Sequence, residues 1–148
     1  MDNEIWLAIV GHEGFYEVSN LGRVRTAGRR MTKGFLTFLS KNKIMAQYSG
    51  GRCKNYRRVM LSNPTRIHAY VHTLVCRAFH GKKPSSDYVV CHRDDEGTNN
   101  RADNLYWGTP ADNRADFERN HVGTGKHRLV VPLVDPCGYV ADEFAGGF

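Results

Sequence analysis

The sequence has no long apolar run, no closely paired cysteines and, between residues 18 and 86, no acidic side chain at all. The first absence leaves nothing near the roughly 18 consecutive apolar residues that span a bilayer. The opening MDNEIW is acidic, unlike the basic start of a secretory signal. A soluble, cytoplasmic protein without membrane contact is expected. Cys53, Cys76, Cys91 and Cys137 stand singly, with no C-x-x-C pair. Neither a zinc knuckle nor a disulfide framework is indicated, and reduced thiols are expected. The missing acids matter most. The 69-residue run from 18 to 86 carries 15 Lys and Arg and no Asp or Glu, whereas an average chain mixes both signs. Its simplest physical meaning is a polyanionic partner.

What is present is 148 residues, 41% hydrophobic, with a formal charge of +6. That suits one compact domain, or a small core with an appended arm. Residues 4–25 carry short apolar pieces cut by Gly11, Gly14 and the Ser19-Asn20-Leu21-Gly22 turn, a pattern that predicts short strands. The basic stretch beyond Gly28 has a poor pattern, although residues 56–61 (YRRVML) predict a strand. Over residues 68–80, Val71, Leu74, Val75, Ala78 and Phe79 recur at helical spacing, with Gly81 where a C-cap belongs. Strands are predicted at 88–91 and 105–107, around a polar loop from 93 to 103. A helix then starts at Thr109-Pro110-Ala111-Asp112 and runs to about Asn120. Thr suits the N-cap, Pro the first helical position, and an acid the positive end of the dipole. Beyond Gly123 a hairpin is expected around Asp135-Pro136-Cys137-Gly138.

The helix, strand, turn, strand, helix order brings three polar residues together. His92 ends one strand, Asn104 begins the next, and Asn113 lies on the first turn of the following helix. Their spacing, and the wider text VHTLVCRAFHGKKP…VVCHRDDEGTNNRADNLYWGTPADNRADF, resembles the HNH, or ββα-metal, nucleases. The run Trp6-x-x-Ile9-x-Gly11-x-Glu13-Gly14-x-Tyr16-Glu17-Val18-Ser19-Asn20-x-Gly22-Arg23-Val24-Arg25 resembles the NUMOD-type element that precedes the nuclease core in phage- and intron-encoded homing endonucleases. The two motifs stand in that family's order. The implied fold is α+β: an N-terminal antiparallel strand element and basic arm (1–66), a ββα-metal core (67–122) and a short tail (123–148).

The resemblance implies hydrolysis of duplex DNA assisted by one divalent ion, Mg²⁺ first. A phosphodiester repels its nucleophile, so the site needs a base for water, a cation on the phosphate and a stabilised leaving oxygen. His92 would be the base, since neutral imidazole takes a proton near neutral pH. Asn104 would hold the turn and the histidine in position. Asn113 would be the helix-borne ligand, its amide oxygen suiting a hard cation that contacts the phosphate and the departing 3′ oxygen. Products with a 5′-phosphate and a 3′-hydroxyl would follow. Cys91 departs from the pattern, because homing relatives commonly carry Asp or His there as the other ligand. A thiolate is soft and favours Zn²⁺ or another thiophilic metal over Mg²⁺. Either Asp94 or Asp95 supplies the missing carboxylate, or the site takes a softer ion (Zn²⁺, with Mn²⁺ also open), or catalysis is weakened.

Taken alone, His92 would read as a structural histidine, and its place inside a long motif reverses that. His72 is expected to pack or hydrogen-bond, Asn99 and Asn100 to form turns, and Trp107 and Phe117 to fill the core, while Tyr48 and Tyr56 could stack or pack. Arg23 and Arg25 stand one apart in a strand-like segment, so they share a face, and the lack of a compensating acid favours phosphate contact. Arg29, Arg30, Lys33, Lys41, Lys43, Arg52, Lys54, Arg57 and Arg58 would serve the same partner, with Arg101 and Arg114 near the nuclease motif. Such contacts place a protein on DNA without specifying sequence. Two other readings stay open: an HNH-fold DNA-binding protein with weakened catalysis, or a phage packaging accessory nuclease. An RNA-binding basic protein would explain the charge but not the His92, Asn104 and Asn113 spacing. A monomer is the simplest expectation.

Overall fold

The structure, a computed structural model, describes residues 3–49 and 55–124. Strands β1 (Trp6–Ala8), β2 (Tyr16–Ser19) and β3 (Val24–Thr26) form an antiparallel sheet in sequence order. Tyr16 and Val18 of β2 and Val24 of β3 face inward. The turn between β2 and β3 is closed by Gly22 N–H bonding to the Ser19 carbonyl at 3.0 Å. The Ser19 hydroxyl also accepts from Arg23 N–H at 3.0 Å. Gly22 has φ +82°, a conformation that glycine adopts without steric cost.

A hairpin follows, β4 (Arg30–Lys33) and β5 (Leu36–Leu39), where the sequence pattern predicts nothing regular. Every residue of both strands is exposed. With neither face buried there is no inside-outside alternation to read. Strands β6 (Tyr48–Ser49), β7 (Arg57–Leu61) and β8 (Ile67–Tyr70) form a second three-stranded sheet. Helix α1 spans Val71–Phe79, three residues shorter at its start than predicted. Residues 67–70 pair instead with β7, Ala69 opposite Val59 and Tyr70 opposite Arg58. The reason is local: Tyr70 makes no side-chain cap bond and the first turn has no acid, while the ladder satisfies the same backbone groups. At the other end Gly81 has φ +79°, as its C-terminal position leads one to expect.

The remaining elements are β9 (Val89–His92), β10 (Leu105–Gly108) and α2 (Pro110–Asn120). β9 and β10 pair antiparallel, with Leu105 opposite His92 and Tyr106 opposite Cys91. α2 begins with a capping box: Asp112 N–H bonds to the Thr109 hydroxyl at 3.2 Å, and Thr109 N–H to the Asp112 carboxylate at 2.8 Å. One hydrophobic cluster joins Ile9, Val18 and Val24 of the N-terminal part to Val59, Leu74, Val75 and Leu105. Among the described residues no helix is long and apolar enough to cross a membrane. Cys76 and Cys91 are free and buried. The expected hairpin at 135–138, along with Arg52 and Lys54, lies outside the described residues.

Candidate active site

His92 closes β9 on the side of α1, and it is 5% exposed. Its ring stacks on Tyr56, with centroids 5.9 Å apart and planes at 14°, and meets His72 edge-on at 5.5 Å. Nε2 lies 3.1 Å from the amide oxygen of Asn100. That oxygen can only accept, so the proton of this pair sits on Nε2 and Nδ1 keeps the lone pair. Asn100, expected only to form a turn, is thus the side chain that orients His92. The asparagine pair in the loop was the available signal, but its turn propensity hid it. Burial pushes His72 down to about 3, and His92 beside it further disfavours a charge on this ring. His72 is therefore a neutral packing partner, as expected. Tyr56, left undecided by the sequence, stacks.

Asn104 holds the turn in three places. Its amide nitrogen donates to Asp94 Oδ1 at 2.8 Å and to the Asn99 carbonyl at 2.9 Å, and its oxygen accepts from Asp94 N–H at 3.2 Å. The expected hold on the loop is present, whereas the hold on the histidine belongs to Asn100. The second Asp94 oxygen accepts from Asn99 at 2.6 Å, and Oδ1 also takes Glu96 N–H at 2.9 Å. Burial acts to raise the Asp94 carboxyl, yet hydrogen bonds from Asn99, Glu96 N–H and Asn104 outweigh it and hold it below the usual carboxylate range.

These bonds bear on Asp94 as a metal ligand: Oδ1 accepts two of them and Oδ2 one, so the remaining acceptor capacity lies on Oδ2. Cys91 is fully buried, with Sγ 3.8 Å from the Val89 carbonyl and 4.0 Å from that of Thr109. A Cβ on Gly108 would fall 2.8 Å from that sulfur. Burial pushes the Cys91 thiol up to about 12, so without a metal beside it the side chain is a neutral packing group. Asp112 is occupied in the capping box. Asp116 is buried between the Tyr106 hydroxyl and Arg119, the latter at 2.5 Å. Asn113 lies half-buried on the first turn of α2, its N–H bonded to the Thr109 carbonyl at 3.0 Å. Among the described residues no three His, Cys, Asp or Glu side chains form a metal-holding group. Cys91, Asp94 and Asn113 do not by themselves complete an oxygen shell for a divalent ion: Cys91 is a buried thiol, Asp94 keeps acceptor capacity on one oxygen only, and Asn113 adds a single amide oxygen, a suitable hard donor.

The basic residues divide into two groups. Arg23 makes a two-pronged pair with Glu4, its Nε 2.9 Å from Oε1. Arg25 pairs with Glu17 at 2.6 Å and lies over the Trp6 ring at 4.1 Å. The supposed lack of a compensating acid therefore does not hold in the fold, because the acidic N-terminal stretch lies alongside β3. Arg101 pairs with Asp103 and Arg114 with Glu118, each at 3.1 Å. Arg57 donates to the Ser49 hydroxyl at 3.0 Å, and the Arg58 guanidinium lies 5.1 Å over the Tyr70 ring. Arg29 lies over Phe15 at 5.4 Å, and Arg30 and Lys33 stand exposed on the β4–β5 hairpin.

The comparisons agree with this layout. The family model of HNH endonucleases matches residues 69–115, and the NUMOD4 motif matches residues 4–62. A solved structure described as "DNA binding and cleavage by the HNH homing endonuclease I-HmuI" matches with a TM-score of 0.55 and 26% identity. That match covers 84% of this chain and 62% of the other, so the chain spans less than two thirds of that relative. No protein of curated function matches. HNH nucleases generally use a divalent metal ion. With both motifs in order and an α+β fold of the same kind, the chain carries an HNH endonuclease motif over 69–115 behind a NUMOD4 motif over 4–62, and its fold is similar to that of an HNH homing endonuclease.

Proposed function

We propose that this protein hydrolyses phosphodiester bonds in duplex DNA, as a nick or a double-strand break, with His92 as the general base. The observation that carries the reading is the His92–Asn100 pair inside the ββα unit. It leaves Nδ1 as the basic nitrogen on a ring fixed by stacking and by the loop. A water beside the scissile phosphate would lose its proton to that nitrogen as it attacks. Residues 1–66 would grip DNA and residues 67–122 would cut it. Phosphate contact falls first to Arg29, Arg30 and Lys33 with Lys41 and Lys43, because Arg23, Arg25, Arg101 and Arg114 already face carboxylates. The test is supercoiled plasmid incubated with Mg²⁺, Mn²⁺ or Zn²⁺. Wild type should convert it to open-circular or linear DNA, and His92→Ala should not. Equal survival of plasmid with both proteins in every metal would remove the proposal.

One observation favours a second reading, a DNA-binding protein with weakened catalysis: Cys91 is a buried neutral thiol where homing relatives commonly carry a carboxylate. It predicts salt-sensitive DNA binding with little cleavage, and a gain in cleavage for Cys91→Asp.

A further inference from the structure

The nuclease loop that holds His92 is not supported from within the ββα unit alone. The turn between β2 and β3 is packed against it. A Cβ on Gly22 would fall 2.8 Å from the Asn100 carbonyl oxygen and 3.0 Å from both its carbonyl carbon and its Cβ. Those are backbone and near-backbone atoms, so they cannot swing aside as a side-chain tip would. Two residues along, Ala102 N–H donates to the Asn20 carbonyl at 2.8 Å. The turn thus meets the loop on both sides of Arg101. Asn100, 4% exposed, then presents its amide oxygen to His92 Nε2 at 3.1 Å. The turn is itself anchored by the segment leading into β6, where Gln47 donates to the Gly22 carbonyl at 2.7 Å.

We infer that the Asn20–Gly22 turn of the NUMOD element is a positioning device for His92, acting through Asn100, so that this element helps to set the base as well as to grip DNA. Gly22 and Asn100 are positioning residues, and only His92 meets the reacting atoms. The physical ground is the steepness of rate with placement: an error of about 1 Å in a catalytic group can cost a hundredfold. The effect on cleavage rests on the reading of His92 as the base, whereas the effect on the His92 ring does not.

Glycines elsewhere in the same element supply the control. Gly14 has φ +78° with nothing within 4 Å of its would-be Cβ. Gly14→Ala therefore reports the strain of a left-handed alanine, and Gly22→Ala reports the same strain plus the collision with Asn100. Single-turnover cleavage of duplex DNA, DNA affinity in chelator, and the ¹⁵N signals of the His92 ring are measured for the full chain and both variants. Gly22→Ala is expected to cleave on the order of ten- to a hundredfold more slowly than Gly14→Ala. Its affinity should stay within about twofold, and the ring signals should move in this variant alone. Asn100→Ala should reproduce the slow cleavage and the ring shift. If Gly22→Ala cleaves at the Gly14→Ala rate with unmoved ring signals, the inference is overturned. If wild type does not cleave at all, the endonuclease reading fails, and the ring signals alone decide the brace. Should Gly22→Ala not fold, Gln47→Ala releases the turn without adding atoms; a ring shift there supports the inference, and its absence overturns it.

Discussion

Asn104 and Asp94 hold each other reciprocally: the Asn104 amide nitrogen donates to the Asp94 carboxylate at 2.8 Å while its oxygen accepts Asp94 N–H at 3.2 Å. With the Asn99 carbonyl as a third partner, one side chain fixes both ends of the loop between β9 and β10. Asn104→Ala strands these groups and should cost about 2 kcal/mol in urea unfolding. Asn104→Asp should do no better, since it sets one carboxylate against another. Wild-type stability in Asn104→Asp would contradict this.

The same pair gives a pH dependence. Against the pull of burial, hydrogen bonds from Asn99, Glu96 N–H and Asn104 keep the Asp94 carboxyl below its ordinary value. A depressed carboxyl adds stability above its unfolded pKa and loses it as pH falls through the folded one. The stability gap between wild type and Asp94→Asn should thus be constant near neutrality and shrink in acid. A gap that grows on acidification would reverse the assignment.

His72 acts in a different window. Burial holds it at about 3 in the fold, against about 6.5 in the unfolded chain. The unfolded state therefore takes the proton first, and stability falls from about pH 6.5 downward by up to about 1.4 kcal/mol per pH unit. His72→Phe should flatten that slope between pH 6.5 and 5, whatever it does to absolute stability. Parallel curves for the two proteins would rule out a buried neutral His72.

Both described cysteines are buried, and burial pushes each thiol up to about 12. At pH 8 iodoacetamide should leave Cys76 and Cys91 unlabelled in native protein and alkylate both in denaturant, as read by peptide mass mapping. Native labelling of Cys91 at the denatured rate would mean that it is open to solvent and to metals.

On DNA, charge exposure separates the basic residues. Arg30→Ala with Lys33→Ala should lower the slope of log affinity against log salt by about 2. Arg114→Ala, whose partner Glu118 lies 3.1 Å away, should lower it by well under about 1. An effect of about 1 for Arg114, equal per charge to that of Arg30 and Lys33, would show that the ion pair opens on DNA and that the hairpin has no special part.

The sequence by itself determined the order of elements in the nuclease unit, the start of α2 and the two motifs, because these rest on local rules: a Thr-Pro-Ala-Asp cap, short apolar runs, and motifs read in order. It did not reveal the β4–β5 hairpin, whose strands bury neither face, nor the end of β8, where pairing with β7 displaces the first turn of α1. Only the tertiary structure decided which charges are compensated. Arg23 and Arg25 lie in an acid-free run of sequence, yet they meet Glu4 and Glu17 across the sheet. It also decided that Asn100 holds His92, that Cys91 is sealed as a thiol, and that Gly22 abuts the loop carrying Asn100. Each of these is a contact between residues distant along the chain or a burial that depends on what packs above, and spacing within a motif encodes neither.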